Sequence, residues 1–276
     1  MRVFVTGASG YIGSSVVSEL LNAGHQVLGL ARSDQSAAKL QAVGAEVHRG
    51  DLHDLDRLRL GAASTDASLH LAFHHDFSDF SGALAADLKA VSAIGSALEG
   101  SGKPFVITTH AGGIDVENKM LALAKREVRS VIIELCPSVH GEGDTGFIPR
   151  LIDIARNTGI SAYIEDGSNC WPAVHRLDAA ALYRLAVEKA PAGSRLEGVH
   201  DEGIPFREIA SAIGKRLNVK TVSISREEAA AHFGFLGHLA GLDIKRSNAA
   251  ARELLGWSPQ QPGLLADLEL PHYFER

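Results

Sequence analysis

Short runs of β-branched and apolar residues alternate with longer amphipathic segments through the first half of the chain. The spacing of the apolar positions switches between the period of a strand and the period of a helix at each step. Six strands are predicted in this half, at residues 3–5, 26–30, 46–48, 68–72, 105–108 and 130–135. Strands and helices that alternate in this way build a parallel sheet, so the predicted fold class is α/β with a doubly wound parallel sheet.

The pattern changes after Pro137, where a glycine-rich stretch, His140 to Asp144, interrupts the alternation. Amphipathic segments then predict three helices, near residues 147–157, 179–189 and 206–217. A strand candidate at residues 195–200 lies between two glycines and is expected to return to the main sheet.

This return of the chain predicts two interleaved domains. The larger contains the sheet and comprises residues 1–136 and about 175–200. The smaller is a mostly helical lobe of about residues 137–174 and 201–276.

The composition is that of a folded protein with a sizeable core, since 45% of the 276 residues are hydrophobic and 22% are charged. A net charge of -6 without a Lys/Arg cluster argues against a nucleic-acid partner. No apolar stretch approaches the roughly 18 to 20 residues that cross a bilayer, and the N-terminus lacks a signal-peptide pattern. We therefore expect a cytoplasmic protein with no membrane partner. Cys136 and Cys170 lack CxxC spacing and are expected to be reduced structural thiols.

A T-G-x-x-G-x-x-G pattern containing Gly7, Gly10 and Gly13 follows the first predicted strand and opens the first helix. In a dinucleotide-binding loop the first glycine allows the tight turn, the second lets the backbone approach a pyrophosphate, and the third lets helix and strand pack closely. The helix N-terminus adds amide donors for the phosphates. Ser9, Tyr11 and Ile12 belong to the same predicted cofactor-binding loop. The alternative is a merely structural strand-turn-helix.

The end of the second strand indicates which dinucleotide is bound. NAD-selective sites carry an acidic residue there, whereas Ala31 is followed here by Arg32 and Ser33. A guanidinium can pair with the 2′-phosphate, so the sequence favours NADP(H) over NAD(H). The alternative is that Arg32 faces solvent and Asp34 binds the ribose.

Further motifs follow the glycine loop in a fixed order along nearly the whole chain, namely Gly50-Asp51-Leu52, Leu71-Ala72-Phe73, Cys136-Pro137-Ser138-Val139-His140-Gly141, Val174-His175-Arg176-Leu177-Asp178 and Leu255-Gly256-Trp257-Ser258-Pro259. This ordered set resembles the extended and atypical branches of the short-chain dehydrogenase/reductase superfamily, the NAD(P)-dependent epimerase/dehydratase-like proteins. The resemblance implies a Rossmann domain that binds the dinucleotide and a small lobe that helps to bind the substrate.

The resemblance also implies further cofactor contacts. The family's adenine-side residues correspond to Asp51 and Leu52, and the residues lying along the cofactor correspond to Leu71, Ala72 and Phe73. The nicotinamide-side loop corresponds to the segment containing Pro137 and Val139.

One family motif is missing. Reductases and epimerases of the superfamily use a Tyr-x-x-x-Lys pair at the start of the helix after the fifth strand, where the Tyr hydroxyl transfers the proton. In this chain Asp115 stands four residues before Lys119, and the segment looks shortened. Either the protein is an atypical member or the chain lacks a loop that carries the pair.

Three polar residues, Thr108, Thr109 and His110, end the fifth strand, where the family places its catalytic Ser or Thr. Thr108 is a predicted cofactor contact, and Thr109 or His110 could hold a carbonyl oxygen. His110 is the first candidate for the proton donor because imidazole titrates near neutral pH. The alternative is that His110 is an ordinary loop histidine.

Three residues are predicted to contact a substrate: His74, His140 and Trp171. Each has a structural alternative, because His140 could simply pack in the lobe and Trp171 could belong to its core. No metal site is predicted, since the side chains of His74 and its neighbours diverge and no second ligand pair stands at a suitable spacing.

The leading hypothesis is an NADPH-dependent oxidoreductase that transfers hydride to a carbonyl or activated alkene of a small organic molecule. One alternative is a non-catalytic NADP(H)-binding regulatory protein, and another is an epimerase or isomerase that uses the cofactor transiently. The expected partner is a small-molecule substrate, and a homodimer is possible. The apolar segment at residues 232–236 could line the substrate pocket or a dimer face, but the favoured interpretation is that it belongs to the core of the lobe.

Overall fold

A computed structural model describes residues 1–74, 79–109 and 113–275 of the chain. The strands in these ranges are β1 (Arg2–Thr6), β2 (Gln26–Ala31), β3 (Glu46–Arg49), β4 (Ala67–His70), β5 (Pro104–Thr109), β6 (Arg129–Leu135), β7 (Ser138–His140), β8 (Ile160–Ile164), β9 (Cys170–His175), β10 (Ser194–Gly198), β11 (Asp201–Pro205) and β12 (Lys220–Ile224). The α-helices are α1 (Tyr11–Asn22), α2 (Asp34–Ala42), α3 (Leu55–Ala63), α4 (Phe80–Leu98), α5 (Ile114–Ala124), α6 (Phe147–Thr158), α7 (Arg176–Lys189), α8 (Phe206–Leu217), α9 (Arg226–Phe233), α10 (Gly237–Ala240), α11 (Ala249–Leu255) and α12 (Leu264–Asp267).

Seven strands form the main sheet in the order β10-β6-β5-β4-β1-β2-β3. The chain runs outward from β1 to β3 on one side and then from β4 to β6 on the other, so the strand order reverses beside β1. The pairs from β6 through to β3 are parallel. The doubly wound α/β fold is therefore confirmed, and β10 returns to the sheet where the sequence predicted a strand. The carboxyl ends of the parallel strands share one edge, where ligands bind in such sheets.

The chain divides into two compact units. Unit 1 comprises Met1–Glu134, Ala179–Leu196 and Ala250–Trp257, and unit 2 comprises Leu135–Asp178, Glu197–Ala249 and Ser258–Arg276. The boundaries lie within a few residues of the predicted ones near residues 136 and 175. The sequence did not predict that residues 250–257 rejoin the unit that contains the sheet.

The core of unit 1 packs helices against the apolar faces of the sheet, with Phe4, Ile94 and Phe105 fully buried. Local signals position these helices. Ser33 and Ser36 form a reciprocal capping box at the start of α2, and Asp79 accepts a hydrogen bond from the Gly82 amide at the start of α4.

Unit 2 contains two small sheets in addition to its helices. In the first, of order β11-β9-β7, β9 pairs parallel with β7 and antiparallel with β11, while β12 and β8 form a parallel pair. The sequence predicted α6 and α8 but none of these five strands. Every residue of β9 is buried, so β9 lacks the alternation of apolar and polar residues that identifies a strand.

In the described ranges, the helices are too short or too polar to cross a bilayer.

The close packing of α1 on the glycine loop can be tested with Gly13→Ala. A β-carbon on Gly13 would lie 2.0 Å from the carbonyl oxygen of Gly7, so the loop and helix would have to separate. Alanine in a helix interior ordinarily gains about 0.5–1 kcal/mol over glycine. We expect instead a loss of about 1–3 kcal/mol in the free energy of unfolding, measured by urea denaturation. The exposed neighbour Ser14→Ala should stay within about 0.5 kcal/mol of the parent. A Gly13→Ala protein as stable as the parent would contradict this packing.

Candidate functional site

The glycine loop joins β1 to α1 and leaves a space without side chains at the ligand-binding edge of the sheet. Gly7 has a φ of +67°, and a β-carbon on it would lie 2.7 Å from the amide nitrogen of Ala72. Gly10 is the N-cap residue of α1, and no side chain caps this helix. The helix N-terminus therefore offers backbone donors to an anion, as a dinucleotide pyrophosphate requires. Ser9, Tyr11 and Ile12 lie in this same turn between β1 and the first residues of α1.

The end of β2 presents a cation and a hydroxyl. Arg32 and Ser33 are exposed, and the Ser33 hydroxyl accepts a hydrogen bond from the Ser36 amide. Asp34, the alternative ligand for the ribose, is exposed and pairs with Arg49 at 2.6 Å. Arg49 stands beside this position because it is in register with Ala31 in the neighbouring strand.

Two predicted adenine-side residues have structural partners in unit 1. The Asp51 carboxylate accepts hydrogen bonds from the amides of His53 and Asp54, at 2.7 and 3.2 Å. Leu52 is buried in the core of the unit. These contacts fix the turn after β3, and the roles of Asp51 and Leu52 toward a cofactor stay predictions.

The segment after β4 lies beside the glycine loop. Leu71, Ala72 and Phe73 are half-buried, and the Ala72 amide donates a hydrogen bond to the Thr6 hydroxyl at 3.3 Å. His74, a predicted substrate contact, stacks on His53 with 5.5 Å between the ring centroids.

The end of β5 brings Thr108 to a tyrosine that the sequence did not single out. The hydroxyls of Thr108 and Tyr183, the latter in α7, share a hydrogen bond at 2.5 Å. Burial raises the pKa of the Tyr183 phenol above its ordinary value, so the phenol stays protonated at neutral pH. His110 lies outside the described residues.

Thr109, the last residue of β5, has a different hydrogen-bond partner. The Thr109 hydroxyl donates to the Glu117 carboxylate at 2.9 Å, and Glu117 pairs in turn with Arg195. Arg195 also pairs with Glu134 at 3.0 Å. Thr109 is thus buried beneath a charged network that joins β5, α5 and β10, a role that needs no substrate.

In unit 2, residues 137–140, which include β7, alternate between two environments. Pro137 and Val139 are half-buried, whereas His140 is fully buried and its Nδ1 donates to the Asp267 carboxylate at 2.8 Å. The ring of His140 meets the ring of His175 edge to face, with centroids 5.3 Å apart. Burial first, and then the neighbouring His140, lower the pKa of His175. A role of His140 in substrate binding stays a prediction.

Trp171 is fully buried in the core of unit 2. Its indole N–H donates to the carbonyl oxygen of Leu239 at 3.1 Å, and its ring packs edge to face against Phe206. These contacts explain an aromatic residue here without a substrate, and a role of Trp171 in substrate binding stays a prediction.

Within the described ranges, no cluster of three or more His, Cys, Asp or Glu side chains is arranged to hold a metal ion. His75 and Asp76, next to His74, lie outside those ranges.

The partners that sequence reasoning missed, Tyr183 and Glu117, belong to no motif. Tyr183 is 75 positions from Thr108 along the chain, and only the folded sheet brings the two together.

Comparison with known proteins adds three findings. A profile of the NAD dependent epimerase/dehydratase family matches residues 3–96. An uncharacterized protein of Schizosaccharomyces pombe is 44% identical over 99% of this chain and 100% of its own length. A 4-hydroxy-2-methyl-3-oxo-4-farnesyl-3,4-dihydroquinoline-1-oxide ketoreductase of Stigmatella aurantiaca is 26% identical over 85% of this chain and 80% of its own length.

The fold has solved counterparts. A dTDP-glucose 4,6-dehydratase of Streptomyces venezuelae, with NAD bound, has a TM-score of 0.77 at 17% identity and covers 100% of this chain and 97% of its own. At this identity the likeness shows the fold alone.

The alignment with the Schizosaccharomyces pombe protein runs over 295 positions, although this chain has 276 residues. Both chains are covered almost completely, so the relative contains internal positions that have no counterpart here. This agrees with a shortened segment somewhere inside the chain.

The family profile covers the glycine loop and the first strands and helices, and the Schizosaccharomyces pombe relative extends the likeness over the whole length. The chain belongs to the NAD dependent epimerase/dehydratase family.

Proposed function

We propose that the protein is an NADPH-dependent oxidoreductase that reduces a carbonyl or activated alkene of a small organic molecule. The observation that carries the proposal is the glycine loop between β1 and α1. Gly7 and Gly13 have no room for a β-carbon, so the loop packs closely on its neighbours. The N-terminus of α1 has no side-chain cap and offers its amides to a phosphate. The residues present fit a nicotinamide dinucleotide, which supplies the hydride when it is bound.

The preference for NADP(H) rests on the charges beside the end of β2. Arg32 is exposed and stands at the position where an NAD-selective site carries the acidic residue that would repel a 2′-phosphate. Asp34 could instead bind the ribose hydroxyls, but one of its carboxylate oxygens accepts a hydrogen bond from Arg49 at 2.6 Å. A guanidinium and a serine hydroxyl at this position suit a phosphate better than a ribose diol.

Fewer groups at the end of β5 are available to bind a carbonyl oxygen or deliver a proton. Thr108 offers a hydroxyl at the strand end, oriented by Tyr183, and could donate a hydrogen bond to a carbonyl oxygen. Tyr183 is itself fully buried, so we assign it a positioning role. His110 remains our candidate for the group that delivers the proton. The similarity to a ketoreductase supports a carbonyl substrate.

A second candidate is a regulatory protein that binds NADP(H) without turnover. The absence of the Tyr-x-x-x-Lys pair from the sequence favours it, and so does the engagement of Thr109 by Glu117. The cofactor site is the same in both cases, and only turnover separates them.

Anaerobic NADPH oxidation with a panel of ketones, aldehydes and enones tests the choice between these functions. Substrate-dependent loss of absorbance at the nicotinamide band is expected for the oxidoreductase. Tight NADPH binding without turnover of any compound class would favour the regulatory protein.

The cofactor preference can be reversed by Arg32→Asp, because the new carboxylate would repel the 2′-phosphate and accept the ribose hydroxyls. A charge-assisted hydrogen bond contributes roughly 1.5–3 kcal/mol, so NADPH affinity should fall about tenfold or more. Fluorescence titration with NADPH and NADH measures both constants. Arg59→Asp, an equal charge change on α3, should leave the ratio unchanged. An unaltered ratio in Arg32→Asp would remove Arg32 from the site.

Gly10→Val should abolish dinucleotide binding without unfolding the sheet. Among the described residues, a β-carbon on Gly10 would contact the carbonyl oxygen of Gly7, at 3.2 Å, and otherwise point into open space. A branched side chain would therefore fill the space that the pyrophosphate needs while the fold adjusts by tenths of an ångström. Titration and a thermal melt measure the two effects, and Ser18→Val in the same helix should bind NADPH normally. A folded Gly10→Val protein that retains NADPH affinity would show that the phosphates bind elsewhere.

His110→Ala should lower kcat by roughly 10²–10⁴, which is typical of a positioned general acid, with little change in NADPH affinity. Thr109→Val should lower kcat less, since its hydroxyl already donates to Glu117. Steady-state kinetics on the best substrate of the panel measure both, with the structural His48→Ala as the control. Parental turnover by His110→Ala would eliminate this assignment.

A further inference from the structure

Three buried polar side chains form a hydrogen-bonded chain in unit 1, directly beneath the glycine loop. The Thr6 hydroxyl and His70 Nδ1 lie 2.8 Å apart, and His70 Nε2 lies 2.9 Å from the Asp87 carboxylate. The exposed fractions of Thr6, His70 and Asp87 are 0%, 1% and 5%. Thr6 begins the glycine pattern, but no local spacing predicts its contact with His70, because the two residues are 64 positions apart.

The triad joins three elements of the sheet domain. Thr6 is the last residue of β1 and His70 the last residue of β4, and the two are in register in this parallel pair. Side chains in register on neighbouring parallel strands point to the same face of the sheet. Asp87 reaches that face from α4 and completes the chain.

The hydrogen bonds have a direction. A carboxylate can only accept, so His70 donates its Nε2–H to Asp87. His70 Nδ1 then accepts the hydroxyl proton of Thr6. A lone pair of the Thr6 oxygen accepts a hydrogen bond from the Ala72 amide at 3.3 Å. The Asp87 carboxylate is thus connected to the backbone amide of Ala72 by hydrogen bonds through His70 and Thr6.

Ala72 is the residue against which the glycine loop closes. A β-carbon on Gly7 would lie 2.7 Å from its amide nitrogen and 2.8 Å from the carbonyl carbon of Leu71. The Leu71 amide also donates to the Thr6 carbonyl oxygen, at 3.3 Å. Thr6 therefore holds the segment after β4 at the distance that the glycine loop requires.

Stability alone does not account for a polar triad in this place. Three side chains this deeply buried lose their hydration, and well-packed apolar residues of similar volume often stabilise a fold as well or better. A fully bonded polar network instead specifies one arrangement of the groups around it.

We propose that Asp87 and His70 are positioning residues that act through Thr6 to hold the Gly7–Ala72 contact in the geometry that binds the dinucleotide. This inference rests on the proposed function. It adds that the affinity of the loop for the cofactor depends on a buried carboxylate in α4 that does not belong to the loop.

The first test compares Thr6→Val with Thr6→Ser in the full-length protein. Valine has the shape of threonine but can neither accept the Ala72 amide nor donate to His70. We expect the NADPH dissociation constant to rise about tenfold in Thr6→Val, the usual size of one lost buried hydrogen bond, and to stay within about threefold in Thr6→Ser.

A matched control separates positioning from stability. Thr65 is equally buried just before β4 and bonds to the carbonyl oxygens of Gly61 and Ala62, away from the loop. Thr65→Val should lower the unfolding temperature but leave the NADPH dissociation constant unchanged. A second probe is 2′-AMP, which carries the adenine and the 2′-phosphate of NADP but no phosphate for the glycine loop. Thr6→Val should bind 2′-AMP like the parent.

The second test substitutes Asp87, the member of the triad that lies in α4. Asp87→Ala should weaken NADPH binding as Thr6→Val does, whereas Asp87→Asn, whose amide oxygen can still accept from Nε2, should restore it. Long-range ¹H–¹⁵N correlation spectra report the tautomer directly. His70 should carry its proton on Nε2 in the parent and lose this single tautomer in Asp87→Ala.

Parental NADPH affinity in Thr6→Val and Asp87→Ala would overturn the inference and leave the proposed function intact. Equal losses of affinity for NADPH and 2′-AMP that parallel the fall in unfolding temperature would also overturn it by reducing the triad to a structural role. A parent protein that binds neither NADPH nor NADH would overturn the proposed function, and this inference with it.

Discussion

The backbone contact between the glycine loop and the segment after β4 is the constraint on which the cofactor-binding unit depends. Gly7 approaches Ala72 so closely that a β-carbon would stand 2.7 Å from its amide nitrogen, and Gly13 approaches Gly7 more closely still. Because no L-side chain fits at these positions, β1, β4 and the start of α1 can meet without intervening atoms. The amides of the first turn of α1 are thereby presented at the edge of the sheet, where a phosphate can reach them.

The neighbouring side chains support this contact from the side away from the ligand. Thr6, in register with His70, closes the gap between the two strand ends, and Asp87 orients His70 from α4. A similar arrangement holds at the end of β5, where Tyr183 fixes the Thr108 hydroxyl. In both places a residue on a helix orients a strand-end hydroxyl, so the edge of the sheet is organised before any ligand binds. Preorganised groups of this kind give up less entropy on binding.

Secondary structure that depends on the spacing of nearby residues could be predicted from the sequence. Contacts between residues far apart in the chain could not. The glycine pattern and the alternation of strands with helices gave the doubly wound sheet, and α8 begins and ends where its apolar spacing indicated. In unit 2, β9 was missed because burial on both faces removes the alternation that identifies a strand. The other strands of this unit have only three to five residues, too few for a clear pattern. The triad beneath the loop and the Thr108–Tyr183 pair were missed because their members come from separate segments of the chain. For Trp171 the sequence left a substrate contact and packing in the lobe open, and the bond of its indole N–H to the Leu239 carbonyl oxygen shows that it packs in the core without testing a substrate role.

Amide hydrogen exchange of the parent protein, with and without saturating NADPH, tests the central claim most directly, because it locates the bound dinucleotide without any substitution. The account predicts that NADPH slows exchange in peptides that cover residues 7–14, 32–33 and 71–73, the edge formed by the ends of β1, β2 and β4. Unchanged exchange in these three segments, at a concentration of NADPH that protects other parts of the chain, would contradict it.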